Sequence, residues 1–86
     1  MHAPPYTPPP LTNPTFNDDR VRQWQQRMKD RGWNITVDSD YGDQSESICR
    51  AFQKEKGLRP VDGIVGPVTW KATWEAPITA AASPGR

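Results

Sequence analysis

The sequence predicts an all-α domain, a small three-helix bundle built on a degenerate repeat of the device that starts each helix and flanked by Pro-rich linkers. Three observations carry this expectation. Apolar residues recur at helical spacing in three segments, each bounded by residues that start or stop a helix. A turn pattern recurs at an offset of 24 residues. The stretch between the Pro-rich ends, residues 17–76, suits one modest core, because a domain of about 60 residues buries only roughly 60% of the surface its unfolded chain exposes.

Taken in order, residues 1–16 come first. Six of the ten prolines lie in the first 14 positions, and no Asp, Glu, Lys or Arg precedes Asp18. Proline fixes the backbone in an extended form and brings little to bury, so the segment reads as a polyproline-like linker. Pro5 to Pro8 form a PxxP, but no Arg or Lys flanks it as a ligand of a Pro-recognising domain would require. The first helix begins after Asn17 or Asp18, with acids at the positive end of the dipole, and runs to about Arg31. Val21, Trp24 and Met28 share one face, Gly32 supplies a left-handed stop, and Trp33 follows where an apolar contact closes the motif.

The second helix starts at Asp43, which with Glu46 makes an acidic capping box, and carries Ile48, Cys49 and Phe52 on one face. Gly57 and Leu58 repeat the ending of the first. The third has Gly66 as N-cap, Pro67 at its first position, Trp70 and Trp74 four residues apart, and an end before Pro77. Residues 77–86 read as a linker or disordered tail.

Composition removes whole classes of function. Eleven basic residues face ten acidic ones in the chain of 86, so no basic face for nucleic acid or for an anionic membrane is expected. Cys49 is the only cysteine and His2 the only histidine. There is therefore no disulfide framework, no metal quartet, no His-dependent triad and no cofactor motif. Trp24, Trp70 and Trp74 are expected in the core, with Trp33 left open, and Cys49 reads as a buried, inert thiol. The amino terminus has neither the basic nor the apolar region of a signal peptide.

The repeat aligns Val37-Asp38-Ser39-Asp40-Tyr41-Gly42-Asp43-Gln44-Ser45 with Val61-Asp62-Gly63-Ile64-Val65-Gly66-Pro67-Val68-Thr69. The shared VDxxxGxxS/T pattern describes a turn in which Asp accepts backbone bonds and a helix follows. The run FQKEKGLRPVDGIVGPVTW from Phe52 to Trp70, with the upstream VDSDYGDQSESICRAFQ, resembles the type 1 peptidoglycan-binding domain of bacteria and phages. The resemblance covers roughly residues 20 to 75. It implies a three-helix, non-catalytic module that binds cell-wall peptidoglycan and tethers a hydrolase or endolysin to it. Ser39 stands where the family has Gly in its first turn, Asp43 where it often has Pro, and Thr73 where it often has Leu.

The expected binding residues are Asp38, Asp40, Tyr41, Gln44 and Ser45, because the first turn collects carboxylates, an aromatic, an amide and a hydroxyl suited to sugars and stem peptides. For Asp38 and Tyr41 the alternatives are turn formation and core packing. The equivalent Ile64, Val65, Val68 and Thr69 read as core. Asp38, Asp40 and Asp43 do not make a calcium loop: counted from Asp38, the sixth position is Asp43 rather than Gly and the twelfth is Cys49 rather than Glu. The expected partner is peptidoglycan, bound by a monomer at the cell wall, without nucleic acid, membrane, metal or cofactor. A protein-protein adaptor on the same fold is the alternative function.

Overall fold

In the computed structural model, which describes residues 1–78, the helices are α1 (Asp19–Asp30), α2 (Asp43–Lys56) and α3 (Pro67–Glu75), with no strand among the described residues. This is the expected all-α, three-helix domain. Of the expected 77–86 tail, everything from residue 79 onward lies outside the described residues.

Each helix boundary has a local cause. Asp18 is the N-cap of α1: its Oδ1 accepts from the Arg20 backbone N–H at 2.8 Å, and the Arg20 guanidinium pairs with its Oδ2 at 2.7 Å. The hydrogen-bonded Arg20 side chain holds the Asp18 carboxyl below the usual carboxylate range. At the other end, Gly32 (φ 104°) donates to Lys29 O and Trp33 donates to Met28 O. Helix α2 ends the same way: Gly57 (φ 67°) donates to Lys54 O and Leu58 to Gln53 O. These paired bonds satisfy carbonyls that the last turn leaves open.

The start of α2 differs from the expectation in one respect. Gly42, not Asp43, is the N-cap, and no side chain caps the first turn. Asp43 already has helical backbone, so its carboxylate does not fold over the helix amides; Asn13 Nδ2 donates to it at 2.8 Å instead. Its charge still stands at the positive end of the dipole.

The core joins Val21, Trp24 and Met28 of α1 to Ile48, Cys49 and Phe52 of α2 and to Trp70 and Trp74 of α3, all buried. Trp33 is also core, edge-on to Phe52 at 6.5 Å. Burial pushes the Cys49 thiol up to about 12. Thr73 is fully buried where an aliphatic would be ordinary, and its hydroxyl accepts from the Trp24 indole at 3.1 Å while donating to Thr69 O at 2.7 Å. A leucine there would orphan the indole N–H. Arg27 of α1 and Arg31 at its C-cap close the α3 C-terminus, donating to the carbonyls of Thr73, Trp74, Ala76 and Pro77, where cations offset the negative end of the dipole.

The Pro-rich segment lies along the helices. Leu11 and Val65 exchange backbone bonds at 3.0 Å each, as Thr15 and Tyr41 do at 3.1 and 2.7 Å, giving two isolated antiparallel bridges. Leu11 is 1% exposed. Trp70 Nε1 donates to Pro4 O, Tyr6 packs edge-on to the same indole, and Arg20 binds the carbonyls of Thr7 and Pro9. The extended backbone that proline imposes is thus used for pairing, through the N–H groups that Leu11 and Thr15 retain.

Candidate functional site

Both turns of the repeat are held by a buried glutamine. Gln25 of α1 accepts at Oε1 from the Asp38 and Ser39 N–H groups, each at 3.0 Å, and donates from Nε2 to Asp38 Oδ1, Asp40 O and Ser45 Oγ. Gln53 of α2 does the same to the second turn: Oε1 accepts from Asp62 and Gly63, and Nε2 donates to Asp62 Oδ1, Ile64 O and Thr69 Oγ1. Each aspartate completes the turn by accepting from the N–H two residues on, Asp40 for Asp38 and Ile64 for Asp62. A primary amide offers an acceptor and donors a few ångströms apart, which is what a turn with both inward N–H and inward C=O groups requires.

The two glutamines are missing from the sequence expectations because they stand 28 residues apart, whereas the turns repeat at 24. The signal was present as an aromatic-Gln pair, Trp24-Gln25 and Phe52-Gln53, on the buried face of each helix. The left-handed residue of the second turn is Gly63 (φ 72°), and a Cβ there would sit 2.7 Å from Glu46 Cγ. In the first turn Ser39 takes the same conformation at φ 69°, so the glycine's replacement leaves the turn shape unchanged.

The five expected binding residues divide between inside and outside. Tyr41 is fully buried against Trp24, with ring centroids 5.5 Å apart, and its hydroxyl donates to Gly63 O at 2.6 Å, linking one turn to the other. Burial raises its phenol well above the ordinary range. Ser45, 2% exposed, is held by Gln25. Asp38 serves the turn yet stays exposed. Asp40 and Gln44 are exposed; Asp40 Oδ1 accepts from Asn17 N–H and Gln44 Oε1 from Thr36 N–H. Those bonds orient both side chains while leaving the second Asp40 oxygen and the Gln44 Nε2 to solvent.

Phe16 joins this outer face. Next to the Thr15–Tyr41 bridge, antiparallel register sets Phe16 opposite Asp40, on the side away from the buried Tyr41, and its ring is 71% exposed. By sequence Phe16 belongs to the Pro-rich linker of residues 1–16, and only the bridge brings it to the turn.

The second turn is less buried than expected. Val65 and Thr69 are core, but Val68 is 64% exposed and Ile64 only half-buried. Thr69 and Trp70 take the inward positions of the first turn of α3, which turns Val68 outward.

Among the described residues no helix is long and apolar enough to cross a membrane, and no group of three or more His, Cys, Asp or Glu side chains is placed to hold a metal ion. No curated protein and no solved structure matches the chain. The peptidoglycan binding domain family matches residues 17–72, a span that contains both clasped turns, both glutamines and all but the last turn of the third helix. On that match, supported by three helices in the expected order, the chain belongs to the peptidoglycan binding domain family.

Proposed function

We propose that the domain binds peptidoglycan at the face of the first turn and holds an attached cell-wall hydrolase, such as a phage endolysin, against its substrate. The observation that carries this reading is the family match over residues 17–72. The outer face supports it. Asp38, Asp40 and Gln44 present polar groups and Phe16 an exposed ring, and peptidoglycan offers sugar rings, acetamides and stem peptides to such a mixture. Tyr41 and Ser45 act from behind, by fixing the turn. The module catalyses nothing itself. It works at the cell wall as a monomer, raising the local concentration of the catalytic partner through the connecting chain.

The test is retention on insoluble peptidoglycan stripped of proteins and secondary polymers, with an Asp40→Ala/Gln44→Ala double variant whose fold is checked by thermal melting. The parent is retained and the folded variant is washed off. Equal retention of both moves the surface elsewhere on the domain. No retention of the parent on walls of several chemotypes replaces this reading with the protein-protein adaptor.

A further inference from the structure

The two turns are one scaffold with opposite surfaces. At the offset of 24, Asp40 corresponds to Ile64, Asp43 to Pro67 and Gln44 to Val68, while the clasping glutamine, the turn aspartate and the helix hydroxyl are the same in both. The apolar residues of the second turn are therefore not demanded by the scaffold, since polar ones fill the same places in the first. Burial does not demand them either: Val68 is 64% exposed and Val61, in the same turn, 48%.

Ile64 and Val68 border a groove of about 210 Å³, walled also by Pro10, Pro60 and Pro67, with Arg59 among its lining. Arg59 is exposed and has no ion-pair partner among the described residues. The one carboxylate in the lining, Asp62, is committed to Gln53 and to the Ile64 N–H. A shallow apolar groove with an unpaired guanidinium matches a short peptide that has small aliphatic side chains and a carboxylate, which Arg holds through two parallel bonds. Its volume lies below the ~300–1,000 Å³ of pockets for drug-sized ligands, so it suits a ligand of dipeptide size.

We infer that the second-turn groove binds the carboxylate-ended stem peptide of peptidoglycan, Arg59 holding the carboxylate and Ile64, Pro67 and Val68 contacting the methyl groups. The source of the peptide rests on the wall-binding reading above; the chemistry of the groove does not. The two turns are held by one short stretch of chain. Leu11 and Thr15, which pair with the two turns, are four residues apart, and an extended chain spans at most about 14 Å over that distance.

The experiment titrates the isotope-labelled chain with N-acetyl-D-alanyl-D-alanine as the free acid and as its C-terminal amide, following backbone amide resonances. The free acid moves Arg59, Ile64 and Val68, and the amide binds about tenfold more weakly. Arg59→Ala weakens the free acid to the level of the amide. Ile64→Asp/Val68→Gln, which installs the first turn's own side chains and so keeps the fold, removes binding of both. Equal affinity for acid and amide, shifts confined to Asp38, Asp40 and Gln44, or no shifts from a domain that is retained on peptidoglycan would each overturn the groove proposal alone. Peptide binding by a domain that is not retained on peptidoglycan would support the groove and overturn the wall-binding reading.

Discussion

Replacing Gln53 by alanine tests the clasp that holds the second turn. The substitution removes one acceptor and one donor group from five bonded partners. Three of those bonds, to the Asp62 N–H, the Asp62 carboxylate and Ile64 O, are partly buried, and water recovers them. The bonds to the Gly63 N–H and the Thr69 hydroxyl are buried. Each orphaned buried group costs about 1–3 kcal/mol, so Gln53→Ala loses about 2–6 kcal/mol. A domain of this size has about 3–9 kcal/mol in total, at roughly 0.05–0.15 kcal/mol per residue. Even the low end of that loss is about a fifth of the highest total, and the high end exceeds the lowest total.

Gln25→Ala is the internal control, because the same chemistry is repeated with only the Ser45 bond buried. Its expected loss is about 1–3 kcal/mol. Urea unfolding followed by tryptophan fluorescence measures both. The midpoint should fall with the slope unchanged, since neither change alters the surface exposed on unfolding. A Gln53→Ala loss under about 1 kcal/mol, or one smaller than that of Gln25→Ala, would refute the argument. Gln53→Glu gives a further check. The introduced carboxylate cannot donate and faces Asp62, so its folded-state pKa lies above its unfolded value. The deficit relative to the parent is therefore full at neutral pH and shrinks as pH falls through that raised value.

Two more outcomes follow from the geometry. Leu11→Ala, at a residue 1% exposed, should cost about 2–5 kcal/mol as any buried leucine does; calorimetry giving an unchanged melting temperature would mean that the Pro-rich segment does not pack in solution. Asp18→Ala should cost about 1 kcal/mol at neutral pH through the lost N-cap. Because the Arg20 hydrogen bond lowers the Asp18 pKa in the folded state, its contribution is present above the unfolded carboxylate range and is lost as pH falls through the folded value. The gap between parent and variant should then close in acid, as read from urea midpoints across pH.

The helices were legible because their signals are local. Spacing placed Val21, Trp24 and Met28 on one face, and Gly32 and Gly57 ended α1 and α2 within a residue of where they stop. The repeat was legible too, since a turn that must reverse the chain and start a helix draws on few residue types. The acidic capping box does not form although Asp43 and Glu46 have its spacing, because Gly42 is the N-cap and Asn13, 30 residues away, takes the Asp43 oxygen.

By itself, then, the sequence determined the number of helices, their limits, their inward faces and the family. It did so because backbone preference and amphipathic period are settled within a few residues of chain. The tertiary structure alone decided the destinations of the turn side chains. Tyr41 and Ser45 go inward and Asp40 and Gln44 outward because Gln25, 13 residues before the turn aspartate, grips its inner side. Leu11 enters the core because Val65, 54 positions later, offers it a paired backbone. Such partners are neighbours only once the helices have packed, so no local pattern announces them.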